Sequence, residues 1–109
     1  MPHTAILLTT PPECYKRVYV NKKRTYVRNE NTERAAKAIV EVARREGLAC
    51  WELFATKGGK YSSGRWSKTG LMGRDRVHFT KEGYQEQGIL LYRALMQTYN
   101  RYIADNDVR

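Results

Sequence analysis

The chain has 109 residues, of which 41% are hydrophobic and 28% charged, and its formal net charge is +9. A chain of this length fills at most one domain and buries about two thirds of its unfolded surface. The apolar content excludes a disordered tail, because such tails hold too few apolar residues to offset the entropy cost of folding. The composition therefore predicts one folded domain or part of one, with a positive charge that suits acidic partners.

The two cysteines and the apolar runs exclude several classes of protein. Cys14 and Cys50 stand in no metal-binding spacing and make no disulfide framework, so we expect both to be free. The longest apolar run near the start, residues 5–8, is too short for the core of a signal peptide. No run approaches the roughly twenty apolar residues that span a membrane. We therefore expect no membrane span and no export signal in this chain.

The first predicted element is a strand. Residues 5–10 are apolar or β-branched and stop at Pro11-Pro12, which is typical of a strand buried on both faces. The basic segment from Cys14 to Arg28 shows no clear periodicity and predicts a long surface connection. Its tyrosines alternate with lysines and arginines, as on surfaces that stack nucleic-acid bases. A solvated segment whose long side chains cover apolar surface is commoner, so we do not expect a nucleic-acid partner.

A helix and a second strand follow. Several N-cap residues stand between Asn29 and Thr32, and Gly47 ends the helical pattern. Small and apolar residues recur between them at helical spacing: Ala35, Ala36, Ile39, Val42 and Ala43. Residues 48–54 then predict a second strand. A strand, a helix and a strand in succession indicate a parallel pair with a right-handed crossover.

A loop and a long helix complete the chain. Glycine and serine are frequent from Lys57 to Gly73, which predicts a loop at the carboxyl end of the second strand, where open α/β sheets bind ligands. Thr80 can cap the final helix. One stripe of that helix contains Tyr84, Gly88, Leu91, Leu95 and Tyr99. We expect this stripe to pack back across the sheet.

Asp75 and His78 stand between this loop and the final helix. An imidazole that acts as a general base needs its other ring nitrogen held by an acceptor, usually a carboxylate. The Asp-x-x-His spacing in a turn can bring the Asp75 carboxylate to one ring nitrogen of His78. The spacing alone is a weak signal, because a lone histidine before a helix more often caps or packs.

The residues around this pair resemble a known family. The run Asp75 to Tyr84 resembles the last conserved block of SGNH (GDSL-type) hydrolases, in which D-x-x-H-F-T-x-x-G-Y opens the terminal helix. Further matches to a bacterial subgroup and to the fourth strand of that family lie upstream: Gly58-Gly59, Ser62, Trp66, Gly70-Leu71 and residues 7–12. The resemblance implies the C-terminal part of a flavodoxin-like α/β/α sandwich with parallel strands, formed by residues 1–109, and hydrolysis of ester bonds.

The resemblance also implies roles for individual residues. His78 would be the general base and then the general acid, and Asp75 would orient it; no metal or organic cofactor is implied. Trp66 and Ser62 are candidates for substrate contact, although Trp66 can equally anchor the loop and Ser62 can equally form a turn. The family's Gly-Asp-Ser nucleophile block and Gly-x-Asn-Asp oxyanion block are absent from the sequence. We therefore expect the Asp-His part of a triad that is inactive alone, with Ser62 a weak candidate for a substitute nucleophile.

The expected partners follow from the missing blocks. The substrate would be an ester. By analogy with the bacterial subgroup, it would be an O-acetyl group on a carbohydrate or on peptidoglycan. Two parallel strands leave an open edge and an uncovered apolar face, so a missing N-terminal half or a second copy of the chain should cover them. We expect the parent protein in the periplasm or outside the cell. The alternative function is a non-catalytic basic α/β module that binds an anionic partner or assembles with itself.

Overall fold

The computed structural model describes residues 3–106 and contains four strands and four helices. In chain order they are β1 (Leu7–Thr9), β2 (Tyr15–Val20), β3 (Lys23–Arg28), α1 (Glu30–Glu46), β4 (Ala49–Trp51), α2 (Leu53–Lys57), α3 (Ser62–Lys68) and α4 (Lys81–Asn106). Strands β1 and β4 are parallel neighbours, with Leu8 opposite Cys50, and α1 connects them. The predicted α/β architecture with a parallel pair is confirmed.

Helix α1 begins and ends where the sequence predicts. The Asn29 side chain accepts a hydrogen bond from the backbone N–H of Asn31, at 3.1 Å, and so satisfies one of the free donors of the first turn. Gly47 takes a left-handed conformation, with φ of 66°, and its N–H returns to the Ala43 carbonyl. Ala36 and Ala43 are buried, so the helix turns its small residues toward the strands.

The prediction of an irregular connection from Cys14 to Arg28 is wrong. Strands β2 and β3 form an antiparallel hairpin there, closed by the pair Val20 and Lys23. Asn21 and Lys22 both have positive φ, 51° and 63°, which is the twist that a two-residue hairpin turn requires. Both strands are rich in tyrosine, valine and threonine, which favour strands, but the density of lysine and arginine obscured this signal.

Two further predictions from the middle of the chain need correction. The second strand stops at Trp51, because the Thr10 hydroxyl accepts the Phe54 N–H at 3.0 Å and the chain turns into α2. The glycine- and serine-rich segment is not all loop, since α3 lies within it. Gly58 and Gly59 have φ of 124° and 72° and make the turn that separates the two short helices.

Helix α4 is anchored at its start. The Thr80 hydroxyl accepts the Gly83 N–H at 3.1 Å, which confirms the predicted cap. Gly83 is buried against the Leu71 carbonyl, so closely that a Cβ atom at this position would lie 1.8 Å from that oxygen. Further along, α4 faces the strands across a cavity of about 420 Å³ that Leu91 and Leu95 help to line. Helix α4 therefore faces the strands as expected, but it does not pack closely against them.

The core is small and lies around the parallel pair and the short helices. The buried apolar residues are Ala36, Ala43, Trp51, Leu53 and Met72. The radius of gyration of 17.1 Å exceeds the ~13 Å of a compact chain of this length. Many apolar side chains along α4 are exposed. Within residues 3–106, no helix combines the length and the apolar character needed to cross a membrane.

Candidate functional site

A tight loop that comprises residues 73–78, here called the dyad loop, carries the predicted pair. Met72 and Phe79 form an antiparallel bridge at its base, and the Gly73 N–H donates to the His78 carbonyl at 2.9 Å. The Arg76 N–H donates to the Gly73 carbonyl at 3.0 Å, and Arg76 itself has a φ of 56°. The loop is thus closed by its own backbone hydrogen bonds, directly before α4 begins.

Asp75 holds this loop and the imidazole together. Its Oδ1 accepts the backbone N–H groups of Val77 and His78 at 2.9 and 3.1 Å. Its Oδ2 lies 2.7 Å from Nδ1 of His78, which is the contact expected from the sequence. The Asp75 side chain is 29% exposed and that of His78 is 79% exposed. One carboxylate therefore fixes both the backbone and the ring, while the rest of the ring faces outward.

The electrostatics of this pair keep the carboxylate ionised. Burial by itself raises the pKa of the Asp75 carboxyl. The hydrogen bonds from the His78 ring and from the Val77 and His78 N–H groups act in the opposite direction and leave the pKa below its ordinary value. An ionised carboxylate only accepts, so Nδ1 of a neutral His78 carries the proton and Nε2 is left as the basic nitrogen. This arrangement can serve general-base chemistry.

Trp66 lies beneath the dyad loop. Its Nε1 donates to the Lys57 carbonyl at 2.9 Å, and its ring meets that of Phe79 edge to face at 5.6 Å. Phe79 directly follows His78 and also lies 5.2 Å from the Tyr84 ring. Half-buried Trp66 therefore anchors the segment that carries His78. Substrate contact by Trp66 stays a prediction.

A buried polar cluster joins α3 to the start of the hairpin. Glu13 is fully buried, and its two carboxylate oxygens accept the N–H groups of Tyr61 and Ser63, each at 3.1 Å. Lys57 Nζ donates to the Glu13 carbonyl at 2.8 Å, to Ser63 Oγ at 2.6 Å and to Ser62 Oγ at 3.3 Å. Polar groups of Glu13, Lys57 and residues 61–63 thus satisfy one another's hydrogen bonds inside the fold.

The cluster determines the setting of two residues. Burial lowers the pKa of the Lys57 ammonium to about 8, although the charge of Glu13 works in the opposite direction. Ser62 is fully buried and its hydroxyl meets Lys57, so the structure places it in this cluster and not on an open surface. Glu13 and Lys57 were not predicted as site residues, because they stand 44 residues apart and no sequence motif links them. Substrate contact by Ser62 stays a prediction.

The three serines of the chain do not meet His78 within the described residues. Ser62 and Ser63 belong to the buried cluster, and Ser63 Oγ donates to the Glu13 carbonyl at 2.6 Å. Ser67 Oγ donates to the Gly73 carbonyl at 3.0 Å. In residues 3–106 there is likewise no group of three or more His, Cys, Asp or Glu residues that could hold a metal ion.

The hairpin contacts the dyad loop directly. The Tyr15 N–H donates to the Arg76 carbonyl at 3.0 Å, and the Arg76 guanidinium lies 4.9 Å from the centre of the Tyr15 ring. Both features follow the carboxyl ends of the parallel strands, since the hairpin comes after β1 and the dyad loop comes after β4 with its two short helices. They therefore share the edge at which open α/β sheets bind ligands.

Comparison with known proteins agrees with this fold. The chain matches no protein-family model and no curated protein sequence. A solved structure of a peptidoglycan O-acetylesterase is similar to it, with a TM-score of 0.79 and 24% sequence identity. The match covers 93% of this chain and 28% of that chain. The chain thus has the fold of a part of that esterase, which confirms the predicted fold class, and it spans little more than a quarter of the esterase's length.

Proposed function

We propose that this chain is the base-bearing part of an ester hydrolase, with His78 as the general base and Asp75 as the residue that orients it. The contact of 2.7 Å between Asp75 Oδ2 and His78 Nδ1 carries the proposal. It fixes the tautomer that leaves Nε2 basic, on a ring that is largely exposed. The fold shared with part of an O-acetylesterase supports the same chemistry.

The reaction needs a serine that this chain does not supply. In the proposed mechanism, His78 Nε2 takes the proton of a serine hydroxyl as the serine oxygen attacks the acyl carbon. The imidazolium that forms is stabilised by Asp75 and gives the proton to the leaving alcohol. His78 then takes a proton from water, which attacks the acyl-enzyme and releases the carboxylic acid and the free serine. A segment that bears a Gly-Asp-Ser block and oxyanion donors would dock against the exposed side of His78.

The proposed substrate is an O-acetyl ester on a carbohydrate. The solved structure that shares this fold is a peptidoglycan O-acetylesterase, and an exposed His78 suits esters on a large polymer. Trp66 keeps a substrate-contact role in this proposal, because the residue is only half-buried. Ser62 supports α3 through Lys57. The triad mechanism requires no metal or organic cofactor.

Turnover of an aryl acetate tests the proposal. The full chain alone should show none above its His78→Ala variant. The full chain fused behind the N-terminal part of a peptidoglycan O-acetylesterase, which would supply the serine, should turn over the ester. In that fusion His78→Ala should lower kcat by about a millionfold, and Asp75→Asn by about ten-thousandfold. His3→Ala removes the other, exposed histidine and should change nothing.

Two results would contradict this assignment. Turnover by the chain alone that His78→Ala abolishes would place the nucleophile within these 109 residues, with Ser62 and Ser63 as the first candidates. A fusion whose turnover survives His78→Ala would show that another group is the base.

A further inference from the structure

One face of the β2–β3 hairpin consists only of tyrosine and arginine. In an antiparallel ribbon, directly opposed residues lie on the same face, and every second residue along a strand shares it. Three opposed pairs therefore form one face, here called the Tyr–Arg face: Tyr15 with Arg28, Arg17 with Tyr26, and Tyr19 with Arg24. The opposite face carries Lys16, Val18, Val20, Lys23, Thr25 and Val27.

The two ends of the Tyr–Arg face differ in charge. At the inner end, Arg28 is neutralised by ion pairs with Glu13 and Glu33, and its guanidinium lies 5.5 Å from the centre of the Tyr61 ring. At the outer end, the Arg17 guanidinium lies 5.9 Å from the centre of the Tyr19 ring, which is 68% exposed.

Arg17 and Arg24, the arginines nearer that outer end, are exposed, and neither has an acidic partner among the residues that the structure describes. The positive charge of this face is thus available at its outer part.

The Tyr–Arg face starts at the dyad loop. Tyr15, its innermost tyrosine, stacks under Arg76 and is hydrogen-bonded to the same residue. Arg76 directly follows Asp75 in the loop that holds His78. Strand β2 extends about 20 Å from this contact to the hairpin turn. A polymer that lies along the face can therefore reach from the outer arginines to the proposed catalytic pair.

The chemistry of the face fits a particular class of polymer. A tyrosine ring offers a flat apolar surface on which the C–H face of a sugar ring can stack. A guanidinium is planar and donates two parallel hydrogen bonds to a carboxylate. We propose that the Tyr–Arg face is a subsite for a carboxylate-bearing polysaccharide. That this polysaccharide also carries the ester rests on the proposed function, and the contact with the dyad loop favours it over nucleic acid.

Binding of the full chain to oligogalacturonate tests this inference without turnover. The carboxylates of that probe can be methyl-esterified, which keeps the sugar chain and removes the charge; oligothymidylate supplies a polyanion with aromatic bases and no sugar carboxylates. We expect oligogalacturonate to bind at least about tenfold more tightly than its methyl ester, because the ester removes the partners of the two exposed arginines.

Two matched double variants separate the faces. Arg17→Gln with Arg24→Gln removes two charges from the Tyr–Arg face, and Lys16→Gln with Lys23→Gln removes two from the opposite face. We expect the first pair to weaken oligogalacturonate binding by about a hundredfold, at roughly tenfold for each arginine, and the second by less than about threefold. Tyr19→Ala should weaken it by about tenfold, through the loss of a stacking ring.

Three outcomes would overturn the inference. The wild-type chain could fail to bind oligogalacturonate; the two double variants could weaken binding equally, which would indicate charge without a specific face; or oligothymidylate could bind more tightly and lose affinity with the arginine pair, which would indicate a nucleic-acid surface. His3→Ala, at an exposed position outside the hairpin and the dyad loop, should bind as the wild type does. If the chain does not bind oligogalacturonate but the fusion has esterase activity that depends on His78, only the subsite is refuted. If the chain binds but the fusion has no such activity, only the proposed function is refuted.

Discussion

At the scale of the residue, Asp75 does two jobs with one carboxylate. One oxygen closes the turn by accepting two backbone N–H groups, and the other orients the imidazole of His78. The first job depends only on neighbours in sequence, as in other turns that an aspartate closes. A short segment can therefore bring the pair together without any long-range contact.

The lowered pKa of Asp75 predicts how the stability of the chain depends on pH. Its pKa in the folded chain lies below the ordinary value of 3.8, so the ionised form favours folding. That contribution is complete well above pH 3.8 and is lost as the pH falls through the lower, folded pKa. Near neutral pH, Asp75→Asn should lower the free energy of unfolding by about 1 kcal/mol.

Chemical denaturation from about pH 7 to about pH 2 measures this contribution. The difference between wild type and Asp75→Asn should shrink toward zero at the acid end. Asp105→Asn, at an exposed position near the end of α4, is the matched control and should show no such trend. A difference that stays constant across the range would contradict the role of the ionised carboxylate.

At the scale of the element, α4 is held mainly by its first turns. Thr80 caps it, and Gly83 lets it pass against the Leu71 carbonyl. Gly88, one turn and a half further along, meets no atom within 4 Å of the Cβ position. Gly83 is thus required by a close contact with Leu71, whereas no contact requires a glycine at position 88.

Alanine substitutions at the two positions should change stability in opposite directions. In Gly83→Ala the new methyl group would lie 1.8 Å from the Leu71 oxygen, so α4 has to move and the fold should lose about 1–3 kcal/mol. Gly88→Ala should instead add about 0.5–1 kcal/mol, because it restricts the unfolded chain and meets open space. Thermal unfolding of both variants measures the two signs. If both variants changed the free energy of unfolding equally, the close approach to Leu71 would not be the reason for a glycine at position 83.

The elements that sequence analysis missed share a physical cause. The β2–β3 hairpin needs a left-handed pair at Asn21 and Lys22, and lysine is an uncommon residue there. Helix α3 contains Gly64, which disfavours a helix by local propensity. Glu13 nevertheless holds the start of α3 from 50 residues away, through the Ser63 N–H. Contacts of that range override local preference, and a single sequence does not reveal them.

At the scale of the whole molecule, the chain is extended and exposes many apolar side chains along α4. Its radius of gyration is 17.1 Å, and many large apolar side chains of α4 are exposed: Tyr84, Ile89, Tyr92, Leu95, Met96, Tyr99, Tyr102 and Ile103. Isolated soluble chains rarely keep such a surface open to water. In the proposed function, the nucleophile-bearing part of the hydrolase covers part of this surface.

We therefore expect the isolated chain to associate with itself. Sedimentation velocity should give a species heavier than the 12.7 kDa monomer at micromolar concentration. Leu95→Glu places a charge on the apolar stripe and should shift the equilibrium toward the monomer, whereas Gln97→Glu adds the same charge at an exposed polar position and should not. A wild-type chain that stays monomeric and unfolds cooperatively would refute the need for a covering partner.

The features that depend on neighbouring residues could be predicted from the amino-acid sequence. Helix α1 with its caps, the start of α4 at Thr80 and the turn that joins Asp75 to His78 all rest on contacts within a few residues. The parallel pairing also followed, because the order of strand, helix and strand leaves few other topologies.

The contacts between distant segments could be read only from the folded chain. The fold buried Ser62 with Lys57 and Glu13, placed Trp66 beneath Phe79, and joined the basic hairpin to the dyad loop through Tyr15. The contacts of Glu13 with Lys57 and of Tyr15 with Arg76 close long stretches of chain, and their free energy depends on burial and on partners that local patterns do not encode. The polar surroundings of the candidate site therefore came from the fold, and its central pair from the sequence.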